Sequence, residues 1–279
     1  MTSSLIRFVS SVVVLAAAIC LGQELEPAGR DTVAEKEAVD KFRTYAKEVA
    51  ARYDLRGGDR GMRPLTLVPE PVFRWTNPLG GQRARGEIYL WTDAGLPAAI
   101  VSINEFTDAA GRLHGEQEWC SLAAGQIVAD GPHHWSPAAG VLSPRPLPDV
   151  EPPAGSAVRR LRQMRDMAER FKSIKTTRAG VDRALRLLPQ PLYRYESKDG
   201  GILDGAVFAL AEATDPEILL VLEARGQDAT HVWHFAFARM NSVHLAATYD
   251  GKPVWDAPAL EGRDVYDRAD KPYSAFLRK

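Results

Sequence analysis

From Thr32 to Tyr53 apolar side chains recur at spacings of three and four: Ala38, Val39, Phe42, Tyr45, Ala46, Val49, Ala50 and Tyr53. That period draws a single buried stripe along a helix. "TVAE" at its start has the form of a capping box, with Thr32 taking the third amide and Glu35 reaching back. Glycines and prolines between Gly57 and Pro64 end this helix. A second stripe of Val158, Leu161, Met164, Ala168 and Phe171 follows Ser156 as N-cap and loosens near Thr176 to Gly180. After each helix the period shortens from 3.6 to 2. "LTLVPEPVFRW" and "LRLLPQPLYRY" alternate, but each carries two prolines. Proline lacks the ladder donor, so both stretches are predicted to run as extended arms along a sheet edge. "EIYLWTD" passes through "DAGLP" into "PAAIVSINEF", and "AVFALAEA" through "ATDPE" into "EILLVLEAR". Both read as hairpins, and "EQEWCSLAAGQIVAD" and "HVWHFAFARMNSVHLAATYDGKPVW" supply further strands.

The two arms contain nearly the same phrase, "LVPEPVFRW" from Leu67 and "LLPQPLYRY" from Leu187, 120 positions apart. Leu65 matches Leu185 upstream. With one residue dropped, Gly86 meets Gly205, Tyr89 meets Phe208, Pro97 meets Pro216 and Ile100 meets Leu219. Further on, Trp135 meets Trp255. Matches in one order over this length predict an internal repeat. The expected fold class is therefore α+β: two pseudo-twofold-related repeats, each a helix followed by an extended arm and about four antiparallel strands. Residues 23–135 and 157–279 form the repeats, and the proline-rich stretch 136–156 links them over the surface. One such unit leaves a sheet face uncovered, so the two repeats are expected to form a single compact body.

The ends and the composition narrow the setting. Arg7 precedes an apolar run from Phe8 to about Leu21, the layout of a signal peptide over residues 1–22. Small residues at Cys20 and Gly22 suit ordinary cleavage before Gln23. Acylation at Cys20 is the alternative, with Ile19 standing where such signals carry Gly, Ala or Ser. The mature chain has no other run of spanning length, so no transmembrane segment is expected and the location is periplasmic or extracellular. Cys120 is then its one thiol, in a strand-like "EWCSLA", and behaves as a small apolar side chain. With 35 basic and 36 acidic side chains well mixed, nothing resembles a nucleic-acid footprint.

Candidate chemistry is sparse. Arg74 and Arg194 hold matching points of the repeated phrase, between Phe73 and Trp75 and between Tyr193 and Tyr195. Each guanidinium either fastens its arm to the sheet, with Glu105 and Glu223 as the expected partners, or joins the other in an anion site. His114, Glu116 and Glu118 alternate in "HGEQE" and would share one strand face, a possible divalent-metal set. Solvent-facing polar residues are the plainer reading. Glu87, Asp93, Asp204 and Glu212 are further acids without a motif to pair them. No nucleophile elbow, "HExxH", phosphate loop or dinucleotide fingerprint occurs, and no cofactor is implied. Four of the six tryptophans fall where the other unit also has an aromatic or within apolar strands, so a buried core rather than a carbohydrate platform is the expected reading.

Through "PEPVFRW", "PQPLYRYE", "DGAVFA" and "DPEILL" the chain resembles a group of secreted bacterial proteins that carry duplicated PxPxxR[WY] phrases. The resemblance implies export and duplication and transfers no activity. Two functions follow as expectations. One is an exported non-catalytic binding or structural protein of the bacterial envelope, whose partner is an unknown protein or envelope ligand. The other is a hydrolase acting on an envelope or polysaccharide substrate through paired carboxylates.

Overall fold

The computed structural model describes residues 33–78, 84–108, 110–139, 142–197, 199–227 and 230–278. The expected signal peptide 1–22, Cys20 and the capping residue Thr32 lie outside the described residues. Helix α1 spans Val33–Ala51. Its first turns, up to Val39, belong to a separate compact unit, and everything below concerns the unit Asp40–Lys279.

In that unit α1 buries Phe42, Ala46, Val49 and Ala50, the stripe read from the sequence. Eight strands follow: β1 Asp54–Gly57, β2 Arg63–Pro64, β3 Thr66–Leu67, β4 Phe73–Asn77, β5 Ala84–Asp93, β6 Leu96–Thr107, β7 Leu113–Ser121 and β8 Ile127–Asp130. The predicted linker contributes β9, Arg145–Pro146. Helix α2, Ala157–Glu169, starts at Ser156, whose hydroxyl accepts from the Arg159 amide. Then come β10 Phe171–Thr176, β11 Asp182–Leu187, β12 Tyr193–Ser197, β13 Ile202–Glu212, β14 Asp215–Gln227, β15 Thr230–Arg239, β16 His244–Tyr249, β17 Lys252–Ala257 and β18 Tyr273–Leu277.

The second helix ends earlier than its apolar period suggests. Phe171 belongs to β10, which pairs with β11 on one side and β16 on the other. "FKSIKT" alternates, burying Phe171 and Ser173 and exposing Lys172, and two neighbouring strands outweigh one more helical turn. Both predicted hairpins form. The β5–β6 turn places Ala94 and Gly95 at φ 49° and 89°, and the β13–β14 turn has Ala213 at φ 51°. Positive φ in a two-residue loop matches the twist of the strands it joins.

All the pairings among the named strands are antiparallel. A six-stranded sheet runs β18-β7-β6-β5-β3, with β4 also on β5. A nine-stranded sheet runs β17-β16-β10-β11-β13-β14-β15-β9, with β12 also on β13, and a three-stranded sheet runs β2-β1-β8. Each proline arm is thus a pair of short strands, β3 and β4 on β5 and β11 and β12 on β13. Strand β11 also pairs with β10 and so is interior, where an edge position was expected. Val68 and Val72 donate amides to Leu90 and Ile88, and the prolines between them donate none. The chain is an α+β protein with two helices and several antiparallel sheets among the described residues.

Side-chain alternation sorts the core into layers. Tyr89, Trp91, Val101 and Trp119 of the six-stranded sheet face α1. Phe208, Leu220 and Leu222 of the nine-stranded sheet pack with Met164 and Ala168 of α2. The intervening residues Ile88, Leu90, Ile100 and Cys120 meet Val207, Ala209, Leu219 and Val221 in a third cluster, so the two large sheets stack face to face.

Candidate functional site between the two sheets

The two arginines of the repeated phrase do not converge. In β4, Phe73 and Trp75 turn toward the opposing sheet, and Arg74 turns to the α1 side. There its Nε donates to Glu87 Oε1 at 2.7 Å, and Tyr89 donates to the other oxygen of Glu87 at 2.7 Å. In β12, Arg194 turns to the α2 side, where its Nε and Nη2 reach Asp204 at 2.9 and 2.6 Å and Nη2 also reaches the Ala157 carbonyl. Arg160 of α2 shares Asp204 through a 2.8 Å bond. The guanidiniums therefore lie on the helix sides of different sheets and clip each arm in place. They form no common anion site. The expected partners, Glu105 and Glu223, are engaged elsewhere, by Arg85 and by Arg225. Register decides this: Arg74 lies opposite Glu87, whereas Glu105 lies opposite Arg85.

The aromatics after the arginines explain two glycines. Trp75 lies opposite Gly86, and Tyr195 lies opposite Gly205. A Cβ on Gly86 would stand 2.4 Å from the Trp75 ring, and one on Gly205 would stand 2.7 Å from the Tyr195 ring. Each ring occupies the place of the missing side chain, a cross-strand contact that glycine alone permits. Beyond these glycines the two sites differ. Trp75 Nε1 donates to Ser102 at 3.1 Å, and the Tyr195 hydroxyl donates to Glu223 at 2.6 Å.

Behind Tyr195 a cavity of about 100 Å³ opens between the sheets. Leu96, Pro97, Leu122, Leu142, Ile202, Val221 and Ala236 give it apolar walls, and Asp59, Glu223 and Arg225 supply its charged side. Ile202 and Arg225 also line a wider outer cleft of about 770 Å³, with Glu196, Asp199 and His231 on its walls. Glu223 is buried and accepts from Tyr195 on one oxygen and from the Arg225 Nε on the other. Burial, then the nearby Glu223 charge, hold the Tyr195 phenol well above its ordinary range, so it stays a donor. Asp59 Oδ1 accepts the amides of Ala124 and Gly125 at 2.6 and 3.1 Å. A small concave, mostly apolar space with a few fixed polar groups is the usual form of a ligand seat.

The opposite end of the inter-sheet layer is acidic. His114, Glu116 and Glu118 share one face of β7, as their alternation predicts, but His114 does not join the glutamates. Its Nε2 bonds Asp108 at 2.9 Å and its ring stacks on Phe106. Glu118 accepts from Tyr273 at 2.6 Å and from Asn104 at 3.1 Å. Asp215 and Glu217 approach from β14, and Glu217 bonds Lys175 and Asn241. Burial pushes Glu116 up to about 7 and, with the neighbouring acids, holds Glu118 and Asp215 well above the usual carboxylate range. Among the described residues no group of three or more His, Cys, Asp or Glu is arranged to hold a metal ion.

The remaining sequence candidates resolve as structure. Asp93 takes Arg60, and Glu212 takes Lys175 and Arg183. Trp75, Trp91, Trp119, Trp135 and Trp233 are buried. Cys120 is free and buried, and burial pushes its thiol up to about 12. Arg225 and Asp59 were not legible as site residues. The cavity draws on segments scattered from 59 to 236. No helix among the described residues is long and apolar enough to cross a membrane. Fold and geometry together define the class, an α+β protein of stacked antiparallel sheets with one helix outside each large sheet. Comparison with protein-family models, with curated proteins and with solved structures finds no match.

Proposed function

We propose that this is an exported, non-catalytic binding protein of the bacterial envelope, built from two pseudo-twofold-related copies of one α+β unit, with its ligand seat between the stacked sheets. The observation that carries the binding reading is the cavity behind Tyr195, where apolar walls meet the Glu223–Arg225 pair. Its apolar walls and fixed charges suit capture of a small molecule better than the dry packing of the rest of the layer.

Several correspondences support the duplication. Ala129 bridges to Trp135 as Ala247 pairs with Trp255, and those tryptophans are the ones aligned by sequence. Leu55 and Leu65 are joined by a backbone bond, and Ser173 and Leu185 are paired in the same way. The trailing segments are exchanged: β9, after the first unit, adds to β15, while β18, after the second, adds to β7. The secreted bacterial group with duplicated PxPxxR[WY] phrases is the proposed affiliation. Export rests on residues 1–22, and N-terminal sequencing of protein recovered outside the cytoplasm should begin at Gln23.

The binding reading is tested by methyl NMR of the exported chain titrated with a panel of small amphiphilic fragments. Shifts centred on Ile202, Val221 and Leu122 are expected; a panel that moves none of them sinks the reading. One observation favours the alternative hydrolase, the four acids Glu116, Glu118, Asp215 and Glu217 whose burial keeps them protonated beyond the ordinary range. They meet the acid–base requirement, but the cavities described above have none of the four in their walls. Hydrolysis of a polysaccharide that disappears in Glu118→Gln would move the assignment to this reading.

A further inference from the structure

Resting on the binding reading, the charged side of the cavity specifies its occupant further. Arg225 uses Nε on Glu223, and its two terminal nitrogens bond no acceptor among the described residues. Asp59 uses Oδ1 on two backbone amides, and Oδ2 bonds nothing among the described residues. Both side chains line the same cavity, and no salt bridge joins them. The seat thus offers a cationic fork and a carboxylate oxygen side by side, each with its own anchor and each with a vacant end.

We propose that this cavity binds a free α-amino acid with a short aliphatic side chain, its carboxylate on the Arg225 fork, its ammonium on Asp59 Oδ2, and its side chain among Leu96, Leu122, Ile202 and Val221. The two open polar ends and the size together select this class. Glu223 and Arg225 cancel each other, which leaves Asp59 as the net charge of the site. A plain carboxylate would bring a second negative charge and leave Asp59 Oδ2 unused, and a plain amine would neutralise Asp59 but leave the guanidinium fork empty. A zwitterion satisfies both ends, and a planar fork is the donor best shaped for its carboxylate. The chamber of about 100 Å³ exceeds the ~10–15 Å³ that one water needs in a cavity and falls short of the ~150 Å³ that admits benzene. Three or four side-chain carbons fit that space, as in valine or leucine, and an indole does not.

Calorimetry on the exported chain would compare L-leucine with 4-methylpentanoate, which lacks its amine, and 3-methylbutylamine, which lacks its carboxylate. Methyl NMR of Ile202 and Val221 would locate each probe. Leucine is expected to bind at least about tenfold more tightly than either analogue, because it alone engages both the Arg225 fork and Asp59 Oδ2 with charge-assisted hydrogen bonds. Arg225→Met should weaken leucine by a similar factor, and Asp59→Asn should narrow the gap between leucine and 4-methylpentanoate. Equal binding of leucine and 4-methylpentanoate overturns the proposal, as does an Arg225→Met variant that binds leucine normally. The ligand series uses the unaltered protein, so it decides even if a variant fails to fold. Should other fragments move Ile202 and Val221 while leucine does not, the amino-acid assignment falls and the binding reading stands. If nothing moves them, both fall.

Discussion

Under the proposed duplication the two ends of the inter-sheet layer occupy matching places, yet they carry different chemistry. At one end Leu96 and Ala98 open β6 and Ala236 lies on β15; at the other Asp215 and Glu217 open β14 and Glu118 lies on β7. Asn104 lies across from Gly86, and Glu223 lies across from Gly205. On the proposed duplication the backbone frame is shared, and the side chains at these positions decide whether an end becomes an apolar seat edged by Asp59 and the Glu223–Arg225 pair or a cluster of buried carboxylates. If the scaffold is duplicated as proposed, it keeps the arm, the arginine clip and the ring over glycine, and leaves these lining positions free to diverge.

The strongest way to break this comparison is to cut the clips. Asp204 is buried between Arg160 and Arg194, and the Arg160 side chain is itself only 8% exposed. Asp204→Ala strands a buried guanidinium and should cost about 3–5 kcal/mol in urea unfolding. Arg74, the counterpart clip, is 50% exposed, so Glu87→Ala should cost less, about 1–3 kcal/mol, chiefly through the orphaned Tyr89 hydroxyl. Equal losses at the two sites would show that burial does not set the strength of a clip. Next in size are the glycines. Gly86→Ala and Gly205→Ala each drive a methyl into a ring and should cost about 1–3 kcal/mol, with Gly86 the worse because Trp75 stands closer. Two neutral substitutions would remove the rings as the reason for these glycines.

The acidic end sharpens the comparison through pH. Glu116 is raised in the folded chain to about 7 by burial, so the folded state holds its proton more tightly than the unfolded state does. That contribution to stability is complete below the ordinary glutamate value near 4.5 and is lost as pH rises through about 7. Thermal melting between pH 5 and 8 should fall with pH, and Glu116→Gln should flatten the slope. A variant Glu116→Gln with the parent slope would discard the buried-proton account.

Much of the scaffold was legible in the order of residues, and the reasons are local. Ser156 caps a helix because its side chain is short and accepting, and "DAGLP" turns because two positive φ angles suit the twist of flanking strands. The partners of Arg74 and Arg194 were not legible, because they depend on register: a shift of one residue exchanges Glu87 for its neighbour on the other face. The start of β10 was hidden for a related reason. Phe171 continues the apolar stripe of α2, and only β11 and β16 on either side pull it into a sheet. The cavity was hidden most deeply, since Asp59, Leu96, Tyr195 and Arg225 meet only after both sheets have stacked.

The smallest expected effect tests the shared frame itself. Cys120 lies opposite Ile100 on β6, and Ala238 lies opposite Leu219 on β14, positions that the proposed repeat would set in correspondence. If the layer is built alike on both sides, the sulfur fills little that a methyl would not. Cys120→Ala should then cost no more than about 1 kcal/mol. The native thiol, buried and pushed up to about 12, should resist alkylation at neutral pH until urea opens the layer. Fast labelling of folded protein would mean that the sheets part near β7 well before they unfold, and that the acidic end is the looser of the two.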